Sequence, residues 1–171
     1  MVLSLRPATS EDDAFSFQVY ASTRADEMSV VPWSEEEKRS FLEMQFNAQR
    51  ASYLQNRPEA EWLVVMRDEL AIGRMIVDRS ADEICLMDIA LLPEHRNAGV
   101  GSKFIKELMA EAEETGKKVT LHVEGYNPAF RLYSRFGFKE IREEGFYLAM
   151  EWSPKSSEGA EDTSEAGLTR D

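Results

Sequence analysis

The chain has little of several residue types that mark common classes of protein. Its 171 residues include one cysteine, Cys85, and two histidines. A single cysteine excludes an internal disulfide framework and suits a reducing cytoplasm, where we expect the protein to reside. Two histidines far apart provide too few ligands for a zinc site, so no metal is predicted. Without an apolar stretch of roughly 20 residues or a secretory signal, no membrane association is expected either.

Positive charge is also scarce. Twenty Lys and Arg residues stand against 32 Asp and Glu, for a formal net charge of −12. The phosphate backbone of a nucleic acid would be repelled, so no nucleic-acid partner is expected. The balance favours a cationic partner such as an amine, although acidic residues also simply keep small proteins soluble.

The apolar patterning predicts a mixed sheet. The predicted order is a strand, two helices, three strands, a helix, a strand, a short helix and two strands. Ser34 begins a capping box for the second helix, and residues 84–92 form an almost continuous apolar run typical of a strand buried on both faces. The fold class is therefore α/β, or an α+β mixed sheet, with about seven strands and about four helices.

The composition changes at residue 153. Residues 153–171 are rich in Ser, Glu, Gly, Ala and Thr, and Leu168 is their one large apolar side chain. Such a segment cannot bury enough surface to offset the entropy of ordering it. We predict one folded domain over residues 1–152 and a flexible acidic tail over residues 153–171.

The junction between the apolar run and the next helix contains an Arg-x-x-Gly-x-Gly turn, residues 96–101. The first turn of a helix leaves backbone N–H groups unpaired at the positive end of the dipole. Glycines let an anion approach that backbone, and Arg96 adds a positive charge. This pattern predicts a phosphate-bearing cofactor, although a plain tight turn is the alternative for the motif taken alone.

Two familiar nucleotide loops do not fit this turn. A Walker A loop has Gly-Lys-Ser/Thr, whereas here Gly101 is followed by Ser102 and then Lys103. A dinucleotide fingerprint has a third glycine where this chain has Phe104.

Two blocks of the chain instead resemble the GCN5-related N-acetyltransferases, the GNAT superfamily. Residues 88–102 match the family's loop for the acetyl-CoA pyrophosphate, and residues 127–138 match its segment containing Asn, Leu-Tyr and Gly-Phe. The resemblance implies a GNAT-like fold with a mostly antiparallel sheet and a splayed central strand pair. It also implies an acyltransferase that transfers acetyl from acetyl-CoA directly to a primary amine, in a ternary complex; the acceptor is a small molecule or a peptide or protein amine. Dimers are common in such proteins, so a homodimer is compatible with it.

The resemblance further implies roles for individual residues. Tyr133 matches the tyrosine that protonates the departing CoA thiolate. The pyrophosphate would meet backbone N–H groups of the loop, the pantetheine amides would pair with the strand before it, and an asparagine would hold the pantetheine arm. The residues so assigned to acetyl-CoA are Ile89, Ala90, Leu91, Arg96, Asn97, Ala98, Gly99, Val100, Gly101, Ser102 and Asn127.

The general base stays open at the level of sequence. An aliphatic ammonium has no lone pair, so it must lose a proton before it attacks. The family often has a basic carboxylate on the strand of residues 119–124, and the matching position here is His122. An imidazole suits proton acceptance near neutrality, but a lone histidine on a strand is commonly structural. Asp88 and Glu124 are rivals, and a chain of water molecules would need no single base.

Other residues favour an interpretation as core. We expect Cys85 to be a core side chain, and the same holds for Trp33, Phe41, Met44, Phe46 and Tyr53. The resemblance puts the acceptor site beside the first two helices, where Trp33, Gln45 and Gln49 are candidates for acceptor contacts. The alternatives to the enzyme are a catalytically inactive acyl-CoA-binding regulatory or interaction module and a purely structural partner protein.

Overall fold

The computed structural model of the protein describes residues 1–125 and 127–155. Most of the predicted tail therefore lies outside the described residues; Pro154, near its start, is buried. The strands are β1 (Leu3–Pro7), β2 (Glu61–Arg67), β3 (Leu70–Arg79), β4 (Glu83–Leu91), β5 (Lys118–Glu124), β6 (Lys139–Glu144) and β7 (Tyr147–Trp152). The helices are α1 (Asp13–Thr23), α2 (Ala25–Ser29), α3 (Glu35–Asn56), α4 (Val100–Thr115) and α5 (Ala129–Arg135), with short 3-10 turns at Ser10–Asp12 and Pro93–His95.

The predicted mixed sheet is confirmed. The seven strands are hydrogen-bonded in the order β1-β2-β3-β4-β5-β7-β6. The pairs β1/β2, β2/β3, β5/β7 and β6/β7 are antiparallel, whereas β4 and β5 are parallel. The described residues divide into two compact units, one made of Met1–Asp78 and Asp88–Ser102 and the other of Arg79–Met87 and the described residues from Lys103 onward.

Helix α2 is a feature that the sequence pattern did not predict. The predicted order has two helices between the first two strands, whereas the structure has three, because α1 ends at Thr23 and the short helix α2 follows. The hydroxyl groups of Ser22 and Thr23 donate to the carbonyl oxygens of Val19 and Tyr20, both over 2.6 Å. Because such side-chain bonds compete with the helical backbone ladder, they favour an end to the helix at this point.

The core of the first unit includes the packed faces of α1 and α3. Tyr20, Leu42 and Phe46 form a buried cluster. Helix α3 begins with the predicted capping box, in which the Ser34 hydroxyl accepts from the Glu37 N–H over 3.2 Å. The prediction that Trp33 and Met44 belong to the core is wrong, because their exposed fractions are 44% and 61%.

In the second unit, α4 and β5 each bury one face. Within this unit the buried side chains of α4 are Phe104, Ile105, Leu108 and Ala112. On β5 the buried residues alternate with polar ones, and the buried set is Val119, Leu121 and Val123. Cys85 of β4 is buried and forms no disulfide, as expected for a core side chain.

Strand β4 changes environment along its length. Ile84, Cys85 and Leu86 are buried, but residues 87–91 are only half-buried. The prediction of a strand buried on both faces is therefore wrong for its second half. The described pairing of β4 with β5 runs from Glu83↔Lys118 to Leu86↔Leu121, so it ends where the burial decreases.

Candidate functional site

The loop between β4 and α4 has the backbone that an anion site needs. Asn97 and Gly99 adopt positive φ angles of 60° and 80°. Asparagine tolerates this left-handed conformation and glycine adopts it without steric cost, so both residue types suit the turn. Residues 96–99 are exposed, whereas Val100 at the first position of α4 is 1% exposed and anchors the helix. The first turn of α4 therefore lies next to an exposed, preformed loop.

Arg96 braces this loop. Its Nε donates to the carbonyl oxygen of Leu91 over 2.9 Å, and its Nη2 donates to the Ser22 hydroxyl over 3.1 Å. The guanidinium thus ties the loop to the end of β4 and to α1. Its positive charge stays beside the loop, although two of its three nitrogens already have protein partners. Contact between Arg96 and a phosphate stays a prediction.

The strand that leads into the loop lies very close to β3. A Cβ atom added to Gly73 would overlap the carbonyl oxygen of Ala90 and would lie 2.7 Å from Cδ2 of Leu91. The Leu92 N–H donates to the carbonyl oxygen of Ile72 over 2.9 Å. Gly73 is therefore required by the close approach of the two backbones. Its neighbours on β4, Ala90 and Leu91, are among the residues that the resemblance assigns to acetyl-CoA.

Asp88 is held by a buried arginine. Among the residues that the structure describes, Arg74 of β3 is the one charged side chain counted as buried, at 5% exposed. Its Nε donates to Oδ2 of Asp88 over 2.7 Å, and its Nη atoms reach Ser16 (3.3 Å) and Gln49 (2.8 Å). The guanidinium also lies 5.6 Å from the ring centre of Tyr20. Gln49, a candidate for acceptor contact, is thus part of an internal network.

In the second unit, Asn127 and Tyr133 lie at either end of the short helix α5. The side-chain oxygen of Asn127 accepts from the Ala129 N–H over 2.9 Å, so this asparagine caps the helix. Tyr133 is 8% exposed, and its ring centre lies 5.9 Å from that of Phe138. The Phe138 N–H donates to the Tyr133 carbonyl oxygen over 3.0 Å. Helix α5 therefore holds both side chains in defined positions.

His122 has a carboxylate partner. Its Nε2 lies 2.9 Å from Oε2 of Glu144, at the end of β6, and the side chains of His122 and Glu144 are 42% and 43% exposed. Arg142 donates to the other carboxylate oxygen of Glu144. The hydrogen bond from Arg142, with a further contribution from the charge of His122, holds the pKa of Glu144 below its usual range. The Glu144 carboxylate thus lies between the His122 imidazole and the Arg142 guanidinium and contacts both.

The structure thus distributes the predicted residues over two groups. The first unit contains Asp88, residues 89–91 and the loop of residues 96–102; the second contains His122, Glu124, Asn127 and Tyr133. Sequence reasoning missed three residues beside them: Gly73, Arg74 and Glu144. A glycine and an arginine inside the apolar run of β3 are unusual enough to signal the first two. Glu144 carried no signal, because it lies in a run of charged residues, 142–144, that reads as an ordinary exposed turn.

Two further classes of site find no support in the part of the chain that the structure describes. Over residues 1–125 and 127–155, no three His, Cys, Asp or Glu side chains gather closely enough to hold a metal ion. In the same ranges, none of the helices combines the length and the apolar character that membrane crossing requires.

The fold is that of an α/β protein with an exposed, preformed turn between a central strand and a helix, and comparisons with known proteins agree with this fold. Residues 58–140 match the family model described as the acetyltransferase (GNAT) domain. The structure of the PaiA N-acetyltransferase from Thermoplasma acidophilum in complex with coenzyme A superimposes with a TM-score of 0.68, covering 90% of this chain and 100% of the other at 21% identity. Residues 58–140, which include the loop, β5 and α5, are therefore similar to a GNAT acetyltransferase domain.

Curated relatives match over parts of their length. The cysteine-rich protein 2-binding protein of Mus musculus is 40% identical over 70 residues, which are 41% of this chain and 9% of that protein. The [ribosomal protein bS18]-alanine N-acetyltransferase of Haemophilus influenzae is 30% identical over 100 residues, which are 58% of this chain and 65% of that protein. The chain thus spans less than two thirds of each of these relatives.

Proposed function

We propose that the chain is an acetyl-CoA-dependent N-acetyltransferase that transfers acetyl directly to a primary amine in a ternary complex. The observation that carries this proposal is the exposed loop of residues 96–99, with positive φ at Asn97 and Gly99, at the start of the 16-residue helix α4. Free N–H groups and the helix dipole both favour an anion there. Backbone groups from Asn97 to Ser102 would bind the pyrophosphate of acetyl-CoA.

The backbone of residues 89–91 would bind the pantetheine arm. The described β4/β5 pairing ends at Leu86, three residues before Ile89. A strand backbone that has no paired neighbour on one side offers its N–H and C=O groups on that side to an extended ligand, which then binds like an added strand. Asn127 would contribute through its amide nitrogen, because its side-chain oxygen caps α5. These contacts would place the thioester for attack.

The chemistry requires two proton movements. The ammonium form of the acceptor loses a proton, and its nitrogen then attacks the thioester carbonyl carbon. The C–S bond breaks as the amide forms, and the electron pair stays on sulfur as the CoA thiolate. Tyr133 would donate its phenolic proton to that thiolate, a task suited to a phenol that the short helix holds in place. The phenolate is later reprotonated from solvent.

The acceptor is a primary amine, of a small molecule or of a peptide or protein. The net charge of −12 supports a cationic acceptor because long-range attraction raises its local concentration. The name of the Haemophilus influenzae relative gives an alanine of ribosomal protein bS18 as its acceptor, which supports including protein amines among the candidates.

The alternative is an acyl-CoA-binding module without catalysis. Tyr133, at 8% exposure on a capped helix, favours the enzyme because a binding module has no need of a positioned acid. A test with two readouts separates them. Acetyl-CoA should raise the unfolding temperature, by linkage of binding to folding, and a panel of small amines and N-terminal peptides should include some that release free CoA thiol. Stabilisation without thiol release from any amine would favour the binding module. If acetyl-CoA neither raised the unfolding temperature nor gave thiol release with any amine, both the enzyme and the module would be refuted.

A further inference from the structure

We propose that Glu144 is a positioning residue for His122, and that this pair is the general base of the transfer. The inference rests on the proposed function and adds to it the assignment of the base. It depends on three observations, all within the second unit: the contact between the two side chains, the contact of Glu144 with Arg142, and the small residue between the strands that carry them.

The contact fixes which ring nitrogen carries the proton. An ionised carboxylate has only lone pairs to offer, so Nε2 of His122, 2.9 Å from Oε2 of Glu144, must be the donor. Arg142 favours the ionised state by donating to the same carboxylate, whose pKa lies below its usual range. Neutral His122 therefore keeps its lone pair on Nδ1, where it can accept a proton. This is the same logic by which a carboxylate orients a histidine base in hydrolases.

The sheet is built to permit this contact. Strand β7 lies between β5 and β6, and Ala149 of β7 is aligned with both His122 and Arg142. Strands two places apart are separated by roughly 10 Å, so His122 and Glu144 must reach across β7 to meet. Ala149 carries only a methyl group there and is 2% exposed. Glu144 itself is aligned with Tyr147, two residues before Ala149 and on the same face of β7, so the contact with His122 runs diagonally across β7.

Asp88 is less suited to the task. Its Oδ2 accepts from Arg74, which is 5% exposed, and protonation of Asp88 would leave that buried charge without its ionic partner. Uncompensated buried charges are strongly destabilising. Asp88 therefore fits a role in stabilising the interior of the first unit. By contrast, protonated His122 would be stabilised by the neighbouring carboxylate of Glu144.

The proposed step is balanced in charge and atoms. The acceptor ammonium gives one proton to Nδ1 of His122, producing the neutral amine and an imidazolium. The imidazolium lies beside the Glu144 carboxylate, which offsets its charge without taking the proton. After transfer, the proton on Nδ1 passes to solvent, which the 42% exposure of His122 allows.

The test compares Glu144→Gln with Glu143→Gln. Glu143 is the adjacent carboxylate on β6 and is aligned with Leu148 rather than Tyr147, so it points to the opposite face. For an amine that the wild type acetylates, Glu144→Gln should lower kcat at least about tenfold, a fraction of the 10² to 10⁴ that a general base contributes. Glu143→Gln should match the wild type. Equal rates for the two variants would overturn the proposal.

Two further measurements separate positioning from general structural damage. Glu144→Gln should have no additional effect in a His122→Gln background, because the two residues act as a unit. Nitrogen-15 NMR of the wild-type imidazole should show the tautomer protonated on Nε2. Additive losses, or protonation on Nδ1 instead, would overturn the proposal even if Glu144→Gln fails to fold. Failure of the wild type to acetylate any amine would instead refute the proposed function on which the role depends.

Discussion

Tyr133 combines burial with a reactive group, and only the second of these is needed for chemistry. Its ring packs near Phe138, and its hydroxyl group carries the proton that the proposed chemistry needs. Within the proposed transfer, that hydroxyl donates its proton to the departing thiolate.

Tyr133→Phe should lower kcat by about 10² or more, because the thiolate would leave without a positioned acid. The dissociation constant of acetyl-CoA should stay within about twofold of the wild type, since the ring is retained. Stopped assays of CoA thiol release and calorimetric titration measure the two quantities. Tyr147→Phe, at a tyrosine that is 43% exposed, is the control. Unchanged turnover across the pH range would remove the acid role from Tyr133.

At the scale of elements, the approach of β3 to β4 constrains the strand that leads into the loop. Gly73 faces Ala90 and Leu91 so closely that no side chain fits. Gly73→Ala should therefore lower the free energy of unfolding by about 1–3 kcal/mol, as for other overpacked sites, and weaken acetyl-CoA binding by shifting residues 90 and 91. Chemical unfolding and calorimetry provide the measurements.

A matched glycine controls for the general cost of adding a methyl group. A Cβ on Gly125 would meet only side-chain carbons of Leu148, at 3.9 Å or more. Gly125→Ala should therefore leave the free energy of unfolding close to that of the wild type. If Gly73→Ala had the same free energy of unfolding and the same acetyl-CoA affinity as the wild type, β3 and β4 could move apart without energetic cost, and this prediction would be wrong.

The turn that precedes α1 depends on a carboxylate. Arg6 donates to both oxygens of Asp12, at 2.9 and 2.7 Å, and the Thr9 N–H donates to Oδ2 over 2.8 Å. These bonds, that from Arg6 above all, hold the pKa of Asp12 well below its usual range. A lowered folded-state pKa contributes stability that is present above the unfolded value of about 3.9 and is lost as the pH falls toward the folded value.

Asp12→Asn should therefore lower the free energy of unfolding by about 1–2 kcal/mol at pH 7. The difference from the wild type should shrink as the pH falls below about 4, because the wild type then loses the same contribution. Urea unfolding over a pH series measures both. Asp82→Asn, at an exposed aspartate in the turn before β4, is the control. A deficit that persists undiminished into strong acid would contradict the assignment.

Local signals predicted local structure well. The capping box at Ser34 and the glycine-rich turn before α4 each involve neighbouring residues, and each is confirmed. The break between α1 and α2 was missed because it depends on side-chain hydrogen bonds of Ser22 and Thr23, which compete with the backbone ladder of the helix. The exposure of Trp33 was missed because an aromatic side chain near a helix start is more often buried.

At the scale of the whole molecule, the sheet was predicted from the order of the elements, and the resemblance to the GNAT superfamily from two blocks of residues, 88–102 and 127–138. The pairs of side chains that meet in the candidate site could not be predicted in this way. Arg74 meets Gln49 across 25 residues of sequence, and His122 meets Glu144 across 22. No periodicity links such positions, because strand order and register decide which side chains meet. The loop could therefore be predicted from the sequence, whereas the partners of the candidate bases required the fold.

The most direct test of the central claim follows the acetyl group itself. The protein would be incubated with acetyl-CoA labelled with carbon-13 in the acetyl carbonyl, together with the amine that releases most thiol in the panel. The account predicts that the label appears in an amide of that amine, with one free CoA thiol for each amide formed. Label recovered only as acetate, only on the protein, or only as unchanged acetyl-CoA would contradict direct transfer to an amine.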